Sequence, residues 1–215
     1  MNARDSVRAY RRMLGKRTAD ALEHNGFCAR YFETVQEAVA YLEQQIQPGL
    51  TVGVGGSVTI RECGILPRLE GKGCRILDFK TAKERQEELA VRRAQLSADV
   101  FMCGSNAVLQ CGQLYNVDGV GNRIAAMTFG PPSVYVVAGI NKIVRDIEEA
   151  RDRVRFMTGP MINIHREQEK NPCAETGFCV NCTLPTRICT VEVLHTKKPK
   201  FTEFTVLIVG EELGF

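Results

Sequence analysis

Apolar and polar positions switch repeatedly between a helical and a strand period along the first 160 residues. Val7, Tyr10, Leu14 and Ala21 form an apolar stripe on an otherwise charged segment, predicting a helix over residues 4–24. Asn25-Gly26 then offers a left-handed stop. Residues 27–32 read as a short strand. Thr34-Val-Gln-Glu37 is a capping box opening a helix with Val35, Ala38, Val39, Leu42 and Ile46 on one face. Pro48-Gly49 ends it, and residues 50–54 form a strand that runs into a glycine turn. Residues 58–69 predict a helical stretch broken at Gly64 and Pro67. Next come a strand over 74–79, a helix over 83–97 and a strand over 99–103. A hairpin over 106–117 bends near Cys111-Gly112, a short helix covers 121–129, and Pro131-Pro132 precedes an apolar strand over 133–138. Ile143, Ile147, Ala150, Val154 and Met157 predict one long helix against the core.

This alternation predicts an α/β fold: a mainly parallel sheet with helices on both faces. The pattern fades near residue 170. Residues 171–190 are rich in Cys, Pro, Thr and Asn and lack a period. Two β-rich pieces follow, 188–195 and 204–209, expected to return to the main sheet or to form a hairpin beside it. The chain therefore reads as an α/β domain over residues 1–170, with a cysteine-bearing extension over 171–215 packed on it.

Composition narrows the classes. The 215 residues are 44% hydrophobic and 25% charged, which describes a globular chain rather than a disordered one. No apolar run approaches the 20 or so residues that cross a bilayer, and residues 1–6 lack the apolar stretch of a secretory signal. A cytoplasmic protein without a membrane partner is expected. The net charge is +3, with Arg4, Arg8, Arg11, Arg12, Lys16 and Arg17 crowded against Asp5 at the start. No aromatic platform accompanies these charges, so they read as the solvated face of the first helix and nucleic acid is not an expected partner.

The chemistry concentrates in loops that follow strands. Gly53-Val-Gly55-Gly56-Ser57-Val-Thr59 joins a strand to a helix, where glycines admit a ligand and hydroxyls can bind phosphate or carboxylate. Val58 occupies the position of the third glycine of a dinucleotide fingerprint, so NAD is not expected, although Asp78 at the end of the next strand would suit a ribose. Gly104-Ser-Asn106 and Asn116-Val-Asp118-Gly-Val-Gly121-Asn122-Arg123 supply amides, a cation and, in Asp118, a candidate catalytic base. Gly139-Ile-Asn141-Lys142 adds Lys142 as an anion contact. Turn formation alone also explains Asn, Asp and Gly, but such clusters after successive strands point to one shared rim. Gly55, Gly56, Ser57, Thr59, Asn106, Asn122, Arg123 and Lys142 are the expected ligand-binding set for a small anionic metabolite.

Nine cysteines in such a chain favour thiol or metal chemistry over disulfides. Four of them form Cys173-x5-Cys179-x2-Cys182-x6-Cys189, a spacing suited to a four-thiolate site. Zinc would make it a structural clip and an iron–sulfur cluster an electron carrier; the spacing does not choose between them, or against plain thiols or disulfides.

Four ordered runs, Gly55-Gly-Ser-Val-Thr-Ile-Arg-Glu-Cys-Gly-Ile65, Asp99-Val-Phe-Met-Cys-Gly-Ser-Asn106, Asn116-Val-Asp-Gly-Val-Gly-Asn-Arg123 and Val136-Val-Ala-Gly-Ile-Asn-Lys142, resemble the LUD-domain (lactate utilization) family. The cysteine segment and the closing Val-Gly-Glu-Glu-Leu-Gly-Phe215 resemble its short, stand-alone members. The resemblance implies a fold similar to the ribose-5-phosphate isomerase and CoA-transferase group. It also implies a role in oxidising lactate or a related small hydroxy acid beside iron–sulfur or flavin electron-transfer partners. The larger members carry a separate ferredoxin-type domain, and the four-cysteine extension here departs from that pattern. A transferase or isomerase acting on a phosphorylated or CoA-linked molecule is the alternative, and a binding module with structural zinc a third. A homo-oligomer is compatible with the β-rich C-terminal part.

Overall fold

The computed structural model describes residues 2–166 and 171–215. The chain runs as α1 (Ala3–His24), β1 (Cys28–Phe32), α2 (Val35–Gln45), β2 (Thr51–Val54), α3 (Val58–Glu62), α4 (Ile65–Gly71), β3 (Arg75–Asp78) and α5 (Arg85–Ala94). It continues through β4 (Val100–Gly104), β5 (Ala107–Leu109), β6 (Gln113–Asp118), α6 (Asn122–Thr128), β7 (Ser133–Gly139), β8 (Ile143–Val144), α7 (Ile147–Arg153), α8 (Gly159–Arg166), α9 (Cys173–Thr176), β9 (Val191–His195) and β10 (Glu203–Val209). Six strands form an all-parallel sheet in the order β1-β10-β7-β4-β2-β3.

Both faces of that sheet are buried, and β7 shows how. Val134, Val136 and Ala138 pack with Ala19 and Leu22 of α1 and Met127 of α6, while Val137 faces the opposite layer with Leu42 of α2, Ile60 of α3 and Leu69 of α4. A strand buried on both faces has no polar alternation, which is why residues 133–138 read as a continuous apolar run. Thr34 caps α2 as expected, its hydroxyl accepting from the Glu37 N–H, but the Glu37 carboxylate accepts from the Glu33 N–H rather than closing the box.

The structure corrects several expectations. Val7 and Tyr10 are exposed; α1 instead buries Gly15, Thr18, Ala19 and Leu22. Gly15 allows the close approach, since a methyl group there would lie 2.4 Å from the Tyr31 ring. Pro67 sits inside the first turn of α4, where its missing N–H costs nothing, and only Gly64, with φ of 67°, breaks the helical stretch. The long helix expected from Ile143 begins later. Ile143–Val144 is a strand, the helix starts at Ile147, and Val154–Thr158 is wound as a π-helix between α7 and α8. The two closing β pieces also part company. β10 enters the main sheet between β1 and β7, whereas β9 pairs antiparallel with β6 in a second sheet of order β8-β5-β6-β9. The change of character expected near residue 170 meets residues 167–170, outside the described residues. No described helix is long and apolar enough to cross a membrane.

Candidate functional site

All six strands of the main sheet end on one rim, so the loops beginning at residues 33, 55, 79, 105, 140 and 210 share it. In an open α/β sheet that rim is where ligands bind. Gly55 extends the pairing of β2 with β4 by donating its N–H to the Met102 carbonyl at 3.0 Å. A methyl group on Gly56 would lie 3.3 Å from the Phe79 ring, so the loop hugs its neighbours. Ser57 then caps α3, its hydroxyl accepting from the Ile60 N–H at 3.3 Å. With five residues, α3 has little aligned dipole, and binding strength here has to come from side chains.

Lys142 is the centre of the rim. It follows β7 in a tight turn, is only 4% exposed, and donates from Nζ to Thr59 Oγ1 at 2.6 Å. Gly104, at the end of β4, makes the space. A methyl group there would lie 2.9 Å from Ser57 Oγ, 3.3 Å from Thr59 Oγ1 and 3.5 Å from Lys142 Nζ. Three elements thus bring two hydroxyls and one amine around a glycine. Burial, reinforced by the Arg153 and Arg123 charges, pulls the Lys142 ammonium down to about 7; Glu62 and Cys63 oppose this without cancelling it.

Arg153 lies beside it, 7% exposed, and was not singled out in the sequence. Its guanidinium donates to the Asn106 and Asn141 carbonyls at 2.9 and 3.3 Å and to Thr158 Oγ1. The π-helical turn sets Thr158 against an arginine five residues earlier. Neither Lys142 nor Arg153 has a carboxylate within ion-pair distance among the described residues. The available signal was Arg153 itself, a charge on the stripe otherwise occupied by Ile147, Ala150 and Val154.

The C-terminal segment covers this centre. Leu213 donates its N–H to Asn141 Oδ1 at 3.1 Å, and Gly214 donates its own to Glu62 Oε2 at 2.6 Å while accepting from Asn141 Nδ2 at 3.2 Å. Gly214 has a φ of 56°, and a methyl group on it would lie 2.5 Å from Thr59 Oγ1. Phe215 stacks edge-on against His165.

Asn106, Arg123 and Asp118 form a separate, internally bonded network, while Asn122 bonds to Arg92 and Gln95. Arg123 donates to Asp118 Oδ1, to Asn106 Oδ1 at 2.9 Å and to the Gly104 and Val117 carbonyls at 3.0 and 3.1 Å, with Asn116 Oδ1 also within its reach. Asp118 Oδ2 accepts from the Ile124 N–H at 3.0 Å, so both its oxygens are engaged and it stands as an ion-pair partner rather than a free base. Asn106 Oδ1 accepts also from the Val117 N–H, and Asn122 Oδ1 from Arg92. Gly104 separates the two groups: its carbonyl binds Arg123, and Ser57, Thr59 and Lys142 close over its Cα. Asp78 is likewise committed, to Arg61 through two hydrogen bonds of 2.7 and 3.0 Å. Burial would raise the Asp78 carboxyl, but Arg61 and the Lys80 N–H hold it below the usual range.

All nine cysteines are free. Cys103 and Cys74 are buried in the cores of the main sheet, Cys28 and Cys111 are exposed, and the four of the C-terminal segment are half-buried. Among the described residues, no three His, Cys, Asp or Glu side chains are gathered closely enough to hold an ion.

The LUD domain family model matches residues 15–209. Among solved structures, a DUF162 family protein from Deinococcus radiodurans superposes with a TM-score of 0.51 at 14% identity, covering 93% of this chain and 97% of its own. A second, eIF2B beta from Chaetomium thermophilum, gives a TM-score of 0.37 at 20% identity over 54% of this chain and 44% of its own. The first likeness is one of fold, and the second carries no argument. A comparison with curated proteins finds no match. The family match takes in every strand of the main sheet together with Ser57, Thr59, Gly104, Lys142 and Arg153, and the chain belongs to the LUD domain family.

Proposed function

We propose that the Lys142 site binds a small metabolic anion, and that this binding serves the oxidation of lactate or a related small hydroxy acid, with the chain acting as a subunit or accessory beside electron-transfer partners. One observation carries the reading: two buried cations, Lys142 and Arg153, share a rim with two hydroxyls and have no carboxylate partner among the described residues. A buried cation without a counter-charge costs several kcal/mol, and a bound carboxylate supplies that charge. Lys142 binds one carboxylate oxygen, Ser57 and Thr59 offer hydroxyls beside it, and Arg153 adds a positive field behind.

A second reading, isomerisation or group transfer on a phosphorylated or CoA-linked molecule, is favoured by Lys142 alone. An amine titrating at about 7 is suited to moving a proton at neutral pH.

Thermal-shift titration with L-lactate, pyruvate, inorganic phosphate, a pentose phosphate and CoA tests both. A ligand at about 100-fold its Kd stabilises by about 2.7 kcal/mol. Stabilisation by lactate or pyruvate that disappears in Lys142→Met supports the first reading. A response confined to the phosphate esters or CoA moves the protein to the second. Silence with all five sinks both.

A further inference from the structure

Residues 171–190 are packed inside out. Only Asn171 is buried in this stretch, and the large apolar side chains Phe178, Val180 and Leu184 are 47%, 44% and 43% exposed. The four cysteines are half-buried, less exposed than these apolar side chains. Apart from the single turn of α9 there is no regular structure. A segment with no apolar core does not hold a fixed path by hydrophobic burial, and short stretches of this kind are held by cross-links or metals.

Polar ties nevertheless draw it together. The Asn171 side chain donates to Asn163 Oδ1 and to the Thr186 carbonyl, and accepts from Thr186 Oγ1. Arg187 donates to the Cys182 and Cys189 carbonyls and to Asn181 Oδ1. The Cys179 N–H donates to the Arg155 carbonyl. These contacts bring the thiols close enough that Cys179, Cys182 and Cys189 all act electrostatically on Cys173.

The turn between Cys179 and Cys182 is the most specific element. Asn181 has a φ of 51°, the one left-handed non-glycine residue among those described, and its N–H donates to Cys179 Sγ at 3.4 Å. This turn gives Cys179 an N–H donor, and a two-residue spacer allows both sulfurs to reach one metal ion. Cys173 Sγ likewise accepts from Asn163 Nδ2 at 3.2 Å. N–H donors to sulfur stabilise thiolates and tune thiolate-bound metals.

We propose that Cys173, Cys179, Cys182 and Cys189 ligate one thiophilic metal centre, a zinc ion or an iron–sulfur cluster, which takes the place of the missing apolar core. The sulfurs are neighbours but not yet convergent, so binding contracts the segment around the metal. The four thiols release their protons to solvent on binding, and the Arg187 guanidinium offsets part of the negative charge left behind. Nothing in this proposal depends on the Lys142 reading.

Metal analysis of the full chain purified without oxygen, with acid-labile sulfide and a visible spectrum, tests it first. About one zinc per chain, or iron with sulfide, supports the proposal and decides between the two centres. The metal-free chain is then titrated with Co2+, which reports tetrahedral thiolate ligation by its visible bands. Saturation at about one cobalt per chain is expected, with proteolysis within residues 171–190 slowed about tenfold or more. A Cys179→Ser, Cys182→Ser double variant should lose the bands, and Cys28→Ser, Cys111→Ser should keep them. Absence of metal together with no cobalt bands, bands that survive loss of Cys179 and Cys182, or two disulfides among the four cysteines under these conditions would overturn it.

Discussion

Lys142 Nζ reaches across from the end of β7 to Thr59 Oγ1, 2.6 Å away on α3, and this single bond ties two loops of the rim together. It is the bond that an incoming anion competes with or joins, and its chemistry depends on pH.

Anion binding should take up a proton above neutrality. Lys142 titrates at about 7 in the folded chain, and a bound carboxylate holds it charged. Calorimetric titration at about pH 8 in buffers of different ionisation enthalpy should show close to one proton taken up per anion bound. Affinity should fall as pH rises beyond about 7. A buffer-independent heat would mean that the lysine is already charged or is not the contact.

The same group shapes stability. Between about 7 and its ordinary value of 10.5, the unfolded chain binds a proton that the folded chain does not. Stability without ligand therefore rises with pH across that window. Lys142→Met, close in volume and uncharged, should flatten this part of the curve in urea unfolding, and an unchanged slope would contradict the burial argument.

Gly104→Ala places a methyl group among Ser57, Thr59 and Lys142. The nearest atoms are side-chain ends and the backbone there needs no positive φ, so a stability loss of about 1–3 kcal/mol is expected. Anion affinity should drop at least about tenfold, because the methyl group pushes Ser57, Thr59 and Lys142 out of their positions. Gly112→Ala is the opposite control. Its methyl group would lie 2.2 Å from the Ala21 carbonyl at a φ of 80°, which damages the fold without touching the site.

Asp118→Asn breaks a buried ion pair and should cost about 3–5 kcal/mol by leaving Arg123 uncompensated. Asp118→Asn with Arg123→Met should recover part of that loss. If Asp118→Asn instead keeps full stability and abolishes turnover, Asp118 is a base after all and the network reading fails.

Gly214→Val should lift the C-terminal cover, since Thr59 leaves no room for a side chain there. Lys142 then becomes more solvated, and its acylation by an amine-directed reagent, followed by peptide mass spectrometry, should accelerate. An unchanged rate would show that the segment does not control access.

The parallel sheet and its rim were legible in the sequence because their signals are local: an apolar run buried on both faces, a glycine pair after it, a lysine after another strand. The second sheet was not. β5 and β6 gave a hairpin signal, but β8 is two residues long, and nothing in residues 191–195 distinguishes an antiparallel partner of β6 from a strand of the main sheet. Arg153 was invisible for a related reason. Its role depends on the carbonyls of Asn106 and Asn141, which only tertiary packing brings to it. The partners of Asp118 were also out of reach of the sequence: a carboxylate near glycines gives no sign that Arg123 and the Ile124 N–H engage both its oxygens.

The place of β10 has a consequence for biosynthesis. Among the described residues β1 pairs only with β10, and β10 stands between β1 and β7. During synthesis β1 can pack on α1 and α2, but it has no strand partner until residues 203–209 have left the exit tunnel. The strands β7, β4, β2 and β3 can pair before then, but the slot between β1 and β7 stays open with apolar edges on both sides, and this interval is when the nascent chain is most exposed to aggregation.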